Sequence, residues 1–487
     1  MTDTSDLLAN SVGVSDQVLY NLKPSAARSR SYKVVLQPIN ASSFQPSSQI
    51  IFQIPAGRRG TYLDPTASFI KFSVQNNDII TSSFFTDNNA YCFFNRIDEF
   101  NGGNLLTSTQ SVNQLMTYLL DFQTNPAQKF GLSNMYGTST DTDSANCRAG
   151  MRISGSQRGT FSLPIPSPLI GIGADKALPI GRLKDDLRIE ITLESATKAV
   201  RYDTLSTPTA WSIVYCELHL TYIELSDEAE SIVNSMTPSN GPLFLHGNAW
   251  RHYVSNLVGG TTGVYSTLIP CRVASLKSIV LLPRPQITDT DARSYSLSSR
   301  ANPSIANFYY RVGSVLVPSR PITLWNQSNT SNFSEGFCEL QKNFHSLQNP
   351  DYSGSIPFSN YNVLDVSGNT TGDLIAGGGS TVGSVGIQPV STAANSFKNA
   401  FALATDLEVF ANKSSVLMSG LNTTGANVFF ECQLGIAPVT ALVNPVNSTL
   451  VNTYGSMLGS ANNYVMGFFC NYDLIYQLDN GILSSRF

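Results

Sequence analysis

Charge is what this 487-residue chain has least of. Asp, Glu, Lys and Arg make up 13% of it, where soluble domains usually carry about 25%. Hydrophobic residues hold an ordinary 42%, so Ser, Thr, Asn, Gln and Gly have taken the place of the missing charge. That composition is not disorder, which needs low hydrophobicity and usually high net charge. It suits a surface that is neutral or covered by other protein, because interface cores are depleted in Lys, Glu and Asp. With 30 basic against 34 acidic residues the net charge is −4, which provides no field for holding nucleic acid. The N-terminus is no arginine-rich arm either: Lys23, Arg28 and Arg30 are set against Asp3, Asp6 and Asp16.

Cysteine and histidine are equally uninformative as chemistry. Seven cysteines with no C-x-x-C pair make neither a zinc site nor a disulfide framework. Cys216, Cys432 and Cys470 fall inside apolar runs, where a thiol behaves as a small buried hydrophobe, and all seven are expected to be reduced, as in cytosolic or nuclear assembly. The opening MTDTSDLLANSVGV has acids where a signal peptide needs positive charge, and no apolar run reaches the 18 or more residues of a spanning helix. The sequons at Asn329, Asn369, Asn422 and Asn447 are expected by chance in so Asn- and Ser-rich a chain.

Of the four histidines, His246 and His252 fit neither an i,i+4 metal pair nor an H-E-x-x-H helix. His219 alternates in a strand and reads as solvent-facing, and His345 stands alone. There is no G-x-S-x-G elbow and no Walker motif. Gly171-Ile-Gly173 lacks the third glycine of a dinucleotide fingerprint and reads as a Pro-flanked turn. Asp185-Asp186 would face opposite sides of a strand and read as solvated, and Gly57-Arg58-Arg59-Gly60, the one compact basic feature, reads equally as a turn between strands or as a contact for an acidic neighbour. The sequence nominates no catalytic, cofactor-binding or metal-ligating residue, no cofactor and no enzyme.

What is present is β structure, and it is present twice. Short runs rich in β-branched and aromatic residues, cut by Pro, Gly and Asn, begin at Tyr32. One segment departs from this: Val112, Leu115, Met116, Leu119 and Leu120 share a helical face, stopped at Asn125-Pro126. Residues 131–160 read as an irregular loop. Phe161–Leu193 and Phe401–Leu434 are nearly equal in length and similar in design. Each opens Phe-x-Leu, passes a glycine (Gly181, Gly420) and closes on a strand carrying a glutamate (Glu190, Glu431). Further on, Cys216, Leu220 and Tyr222 align with Cys470, Leu474 and Tyr476, His219 with Asp473, and Arg96-Ile97 is matched to Arg311-Val312. A repeat of roughly 240 residues is no solenoid, whose units run about 20–50; it is a duplicated β domain. Asp227–Met236, with Asp227 and Glu230 at capping-box spacing, reads as a helix at the joint, broken by Thr237-Pro-Ser-Asn-Gly-Pro242. The expected organisation is an N-terminal arm at 1–30, a first β domain with the joining helix at 31–240, and a second at 241–487. The second domain carries a polar, Gly-rich insertion at 326–396.

FSLPIPSPLIG, KALPIGRLKDDLRIEITLE, LMSGLNTTGANVFFECQL and FFCNYDLIYQL, in this order and duplicated, resemble the double jelly-roll major capsid proteins. That lineage includes adenovirus hexon, tailless icosahedral phages, virophages and Polintons, and the resemblance covers about residues 30–487. It implies an all-β fold of two tandem eight-stranded jelly rolls with a few short helices. It further implies homotrimers that tile an icosahedral shell of a dsDNA virus as pseudo-hexagonal capsomers. The partners it implies are neighbouring capsomers, penton and minor or cement proteins, with a host receptor or glycan at outer loops, and the location it implies is the virion. The chain is short for the lineage, so small outer loops are expected. A tandem β-sandwich for glycan binding or adhesion, using loops near Trp325, is the alternative; a cupin-like enzyme lacks the clustered histidines it would need.

Overall fold

In the computed structural model the described residues are 28–78, 83–139, 148, 150–202, 211–236, 242–286, 297–298, 300, 302–303, 305–324, 334–344, 356, 361, 400–409, 417–434 and 463–486. Eleven strands make up the first half: β1 (Ser29–Leu36), β2 (Gln49–Ile54), β3 (Thr61–Asn76), β4 (Phe84–Thr86), β5 (Phe94–Asn101), β6 (Asn104–Gln110), β7 (Arg152–Ile153), β8 (Arg158–Pro164), β9 (Leu187–Leu193), β10 (Val200–Tyr202) and β11 (Trp211–Leu225). The second half holds β12 (Leu243–Leu257), β13 (Gly263–Ile269), β14 (Leu276–Pro285), β15 (Ile305–Val312), β16 (Val315–Thr323), β17 (Leu403–Asp406), β18 (Val428–Leu434), β19 (Tyr464–Asp479) and β20 (Ile482–Arg486).

The sheets are the same object built twice. One sheet of the first half runs β1-β11-β3-β8 and the other β2-β9-β5-β6; the second half answers with β12-β19-β14-β17 and β13-β18-β15-β16. Every pairing between these strands is antiparallel, and in both halves the chain alternates between facing sheets in the same order, which is the jelly-roll path. The repeated stretches end on β9 and β18, each the second strand of its sheet. Both strands bury every second residue, Leu187, Ile189, Ile191 and Leu193 in one and Val428, Phe430, Cys432 and Leu434 in the other. This is the period-2 pattern of a strand with one face on a core.

Aromatic rings fill both cores. Phe72 meets Phe94 at 5.0 Å and Phe161 at 5.8 Å, with Phe93 edge-on to Trp211 at 4.9 Å. In the second sandwich Phe430 meets Phe468 at 5.3 Å and Tyr310 at 5.5 Å. Each such ring, fully buried, contributes about 1.5–3 kcal/mol of transfer free energy.

Helices occupy connections. The expected helix is α1 (Val112–Gln123), but Asn125-Pro126 does more than stop it. The Asn125 side chain and Gln128 form a capping box that starts α2 (Pro126–Gly131), and proline suits a first helical position. Residues 131–160, expected to be irregular, contain the short α3 (Ser133–Tyr136) and β7, which joins β4 and β10 in a small sheet that the sequence did not announce. At the joint lies α4 (Asp227–Met236). Ser29 and Arg30, placed in the arm by sequence, already pair with Leu225 and Glu224; the rest of the arm, Arg28 aside, lies outside the described residues. Within 326–396 the described parts are α5 (Ser334–Asn343), Phe344, Ile356 and Tyr361, and Leu340 and Tyr361 are buried against the second core. The remainder of that segment and Trp325 lie outside the described residues.

Candidate functional site

The chemistry-bearing residues do not converge. His246 Nε2 lies 2.8 Å from Asp473 Oδ1, while Ser275 Oγ donates to the other oxygen at 2.6 Å. The aspartate, not the histidine, is central, so nothing activates the hydroxyl. His219 is half-buried rather than simply solvent-facing: it stacks on Phe69 at 4.6 Å and lies 3.2 Å from Glu217. Asp186 corrects the expectation of a solvated pair, since its carboxylate accepts from Ala56 N–H and Gln53 Nε2 and so ties the start of β9 to the end of β2. His345 and Cys147 lie outside the described residues; the six described cysteines are free thiols. Among the described residues no group of three His, Cys, Asp or Glu could hold a metal, and no helix is long and apolar enough to cross a membrane. Asn422 turns its side chain onto Thr424, accepting from that residue's N–H and hydroxyl.

What the fold builds instead is a seam between the sandwiches. Strand β12 meets the first half along two elements, α1 with the end of β6, and the segment 166–174. Ser111 lies 3.0 Å from His252 Nδ1. Leu115, Met116 and Leu119 of α1 line one cleft with Pro166, Pro168, Asn248 and Trp250. Gly171-Ile-Gly173 belongs here: Asn248 N–H donates to Gly173 O and Ala174 bridges to Gly247. A methyl group on Gly247 would stand 2.4 Å from Pro168 O, so only glycine permits this approach. The turn expected from the sequence is present, but its role as a docking loop was not legible from local pattern. Strand β20 adds Leu483 N–H, which donates to Asn101 Oδ1, and in the turn before it Gly481 O accepts from Lys184 N–H.

Ionisable groups feel the seam, three of them from contacts already named or adjoining them. Burial, with the nearby Arg284 charge, pulls His252 down to about 4. Burial pushes Glu99 up to about 7; the hydrogen bond from Ser167 opposes that rise and the Asp98 charge adds to it. Asp121, on α1, is buried yet held far below the usual carboxylate range, because Arg148, Lys129 and Arg300 surround it and outweigh its desolvation. Arg300 Nη2 lies 2.6 Å from Asp121 Oδ2, Arg148 Nε 3.0 Å and Lys129 Nζ 3.0 Å from Oδ1. Arg148 also donates to Ser298 O, and Ser298 Oγ to Asp87 at 2.6 Å. Arg148, Lys129 and Asp87 come from the first half, Arg300 and Ser298 from the second, so this hub bolts the halves together. Sequence reasoning missed it because its members are spread from residue 87 to 300.

The repeat also holds at residue level, with two corrections. Arg311 faces Phe429 across β15 and β18, and the matching place in the first half is Phe100 facing Arg188, so Arg311 is not the counterpart of Arg96. The arginine lies over the ring in both, at 4.6 Å for Arg188 on Phe100 and 4.4 Å for Arg311 on Phe429. Phe161 is opposite Phe72, which faces Cys216, whereas Thr405 is opposite Ile279, which faces Cys470. Phe161 thus matches Thr405 rather than Phe401. A slip of four residues keeps the same face inward.

Among the described residues, the seam covers one flank of each sandwich and leaves the other exposed. Position 215 in β11 matches 469 in β19, yet Tyr215 is 37% exposed and Phe469 is 0% exposed, stacked on His252. In β6, Leu106, Thr107 and Thr109 are buried, whereas in the matching β16, Ser319, Arg320 and Pro321 are exposed.

No family model matches the chain, and no curated protein matches it in sequence. Solved structures do match. A chain of the PBCV-1 virus capsid superposes with a TM-score of 0.58 at 11% identity, covering 96% of this chain and 99% of that one. A chain of the Sputnik virophage gives 0.53 at 12% identity, covering 97% and 92%. The mavirus major capsid protein gives 0.50 at 10% identity, covering 97% and 93%. The double jelly roll is therefore shared end to end with these proteins.

Proposed function

We propose that this chain is the major capsid protein of an icosahedral dsDNA virus, assembling as homotrimeric, pseudo-hexagonal capsomers that tile the shell. The observation that carries this reading is the two-way coverage of the likeness: 96% of this chain lies on 99% of a PBCV-1 capsid chain. The low charge, the flanks left exposed among the described residues and the buried hub between halves support it, since a tile must hold together within and meet its neighbours at its sides. The role is structural rather than enzymatic. Neighbouring capsomers, a penton protein and minor or cement proteins are its partners, and the polar segment 326–396 supplies outer loops for a receptor or glycan. It functions in the virion after assembly in the host cytoplasm or nucleus. Native mass measurement and electron microscopy of the purified protein test this directly. Particles of three chains with a hexagonal outline are expected; a stable monomer at assembly concentrations would sink the proposal.

A further inference from the structure

The two cores differ in one chemical respect. Each central strand carries a buried cysteine at the same place, Cys216 in β11 and Cys470 in β19. Ile54 faces Leu187 as Ile269 faces Val428, so the residue two beyond each strand end holds the same position in both sandwiches. The first sandwich has Ala56 there; the second has Cys271, 1% exposed and already outside β13. Cys271 and Cys470 are in contact, the Cys470 thiol donating a hydrogen bond to the Cys271 sulfur. Because β13 and β19 belong to opposite sheets, this contact spans the sandwich. The surroundings make the two thiols unequal. That hydrogen bond draws Cys271 below the ordinary thiol value against the effect of burial, helped by the Arg251 charge and a hydrogen bond from Tyr253. Burial pushes Cys470 up, and the same contact adds to the rise. Arg251 lies directly opposite Cys470 in the β12–β19 ladder. Cys432, in the same core, feels burial alone.

We propose that Cys271 and Cys470 are a disulfide-forming pair, oxidised after assembly to a covalent link between the two sheets of the second sandwich. The oxidant is a low-molecular-weight disulfide such as oxidised glutathione. The Cys271 thiolate attacks one of its sulfurs, giving a mixed disulfide and releasing one glutathione thiolate. The Cys470 thiolate then attacks the Cys271 sulfur and displaces the second. The two protein thiols thus give up two electrons and two protons, and two glutathione thiols form. Both sulfurs are buried, so the reaction runs through local opening of the connection after β13. The inference rests on the capsid reading only for its timing: thiols stay reduced inside a cell and are oxidised outside it, where a virion is released. The bond closes the chain from residue 271 to residue 470, and a disulfide constrains the unfolded state more the longer the loop it closes.

The test uses the reduced full chain, carrying Cys338→Ser because Cys338 is exposed and would join copies to one another. It is incubated with excess oxidised glutathione at urea concentrations from zero to just below the unfolding midpoint, so that burial alone cannot hide the pair. Alkylation and digestion without reduction follow. Mass mapping is expected to find a peptide pair cross-linked through Cys271 and Cys470, with Cys216 and Cys432 alkylated. The oxidised chain is expected to unfold at higher urea than the reduced one. That shift should vanish in Cys271→Ala, which installs the residue the first sandwich carries at this place. Cys271 and Cys470 both alkylated at every urea concentration, or joined to glutathione or to other cysteines, would make them packed neighbours only and overturn the proposal. The oligomeric mass that tests the capsid reading is measured separately on reduced protein, so either conclusion can fail while the other stands.

Discussion

In the first sandwich the arginine sits on β9 and the ring on β5, as Arg188 over Phe100; in the second the ring is on β18 and the arginine on β15, as Phe429 under Arg311. Around both pairs a glutamate at the same strand position completes the contact. Glu190 lies 2.7 Å from Arg188, and Glu431 lies 2.9 Å from Arg311 while also accepting from Tyr309. The duplicated fold has thus kept the cross-strand pair while exchanging its members. A sheet is stabilised by which side chains meet across strands, and that requirement does not care which strand supplies which partner. The halves diverge further at their junction, where one flank of each is buried and the other bare.

The comparison breaks most sharply at the hub, which has no second copy among the described residues. Asp121→Asn removes the buried carboxylate charge that Arg148, Lys129 and Arg300 share. Orphaning buried charge costs about 3–5 kcal/mol. Denaturant unfolding is expected to show a loss of that size, with Arg320→Ala on the exposed face of β16, whose partner Glu335 lies on α5, changing stability by less than about 1 kcal/mol. Equal effects would mean that the hub does not fasten the halves.

How much of this could be read from sequence follows from what each feature depends on. Alternation along β9 and β18 and the helical face of α1 are local, so Leu187, Val428 and Leu115 announced them. The duplication was legible because a strand that must bury every second residue repeats visibly. Matching by residue type nevertheless failed at Arg311 and Phe401, because each true counterpart, Asn307 for Arg96 and Thr405 for Phe161, lies four residues away, and a slip of an even number of residues leaves the inward face of a strand unchanged. The seam was invisible for a different reason. Gly173 and Gly247 look like ordinary turn or strand glycines until the backbones they bring together are known.

A second way to sharpen the contrast uses Glu99, an inward-facing carboxyl whose counterpart in β15 is the phenolic Tyr310, each being two residues from the strand position facing Ile191 or Cys432. Its folded-state pKa of about 7 stands above the ordinary 4.5. The unfolded chain therefore releases its proton first as pH rises. Stability should be greatest below about pH 4.5 with respect to this group, fall between 4.5 and 7, and level off above. At 1.36 kcal/mol per pKa unit the decline is about 3 kcal/mol. Glu99→Gln should remove this slope; an unchanged slope in the variant would assign it to another group.

The seam itself can be probed by adding one carbon. Gly247→Ala forces a methyl group to 2.4 Å from Pro168 O, and backbone lies on both sides of the contact. Overpacking of this kind costs about 1–3 kcal/mol. Gly103→Ala, at the tip of the β5–β6 hairpin where a methyl would meet nothing within 4 Å, serves as the control and should be neutral within about 0.5 kcal/mol. Hydrogen exchange is expected to rise at Asn248 N–H, which donates to Gly173 O, and to stay unchanged in β9. Increased exchange in β9 would show that the variant loosens the first sandwich rather than the junction.

The smallest effect bears on the exchanged pairs. If the contact is what the two halves have in common, its strength should be independent of which strand carries the arginine. Double-mutant cycles on Arg188→Ala with Phe100→Leu, and on Arg311→Ala with Phe429→Leu, isolate the pairwise coupling from burial and from the loss of charge. Both arginines are partly exposed, at 41% and 37%, which places each coupling near 0.5–1 kcal/mol. The neighbouring glutamates remain in every variant, so their attraction to arginine cancels to the extent that it is independent of the ring. Coupling energies that agree within about 0.3 kcal/mol would establish the pair as the retained unit. A coupling confined to Arg311 would make the second contact a by-product of the Tyr309–Glu431–Arg311 network, and the resemblance between the halves at this point would then be geometric without being energetic.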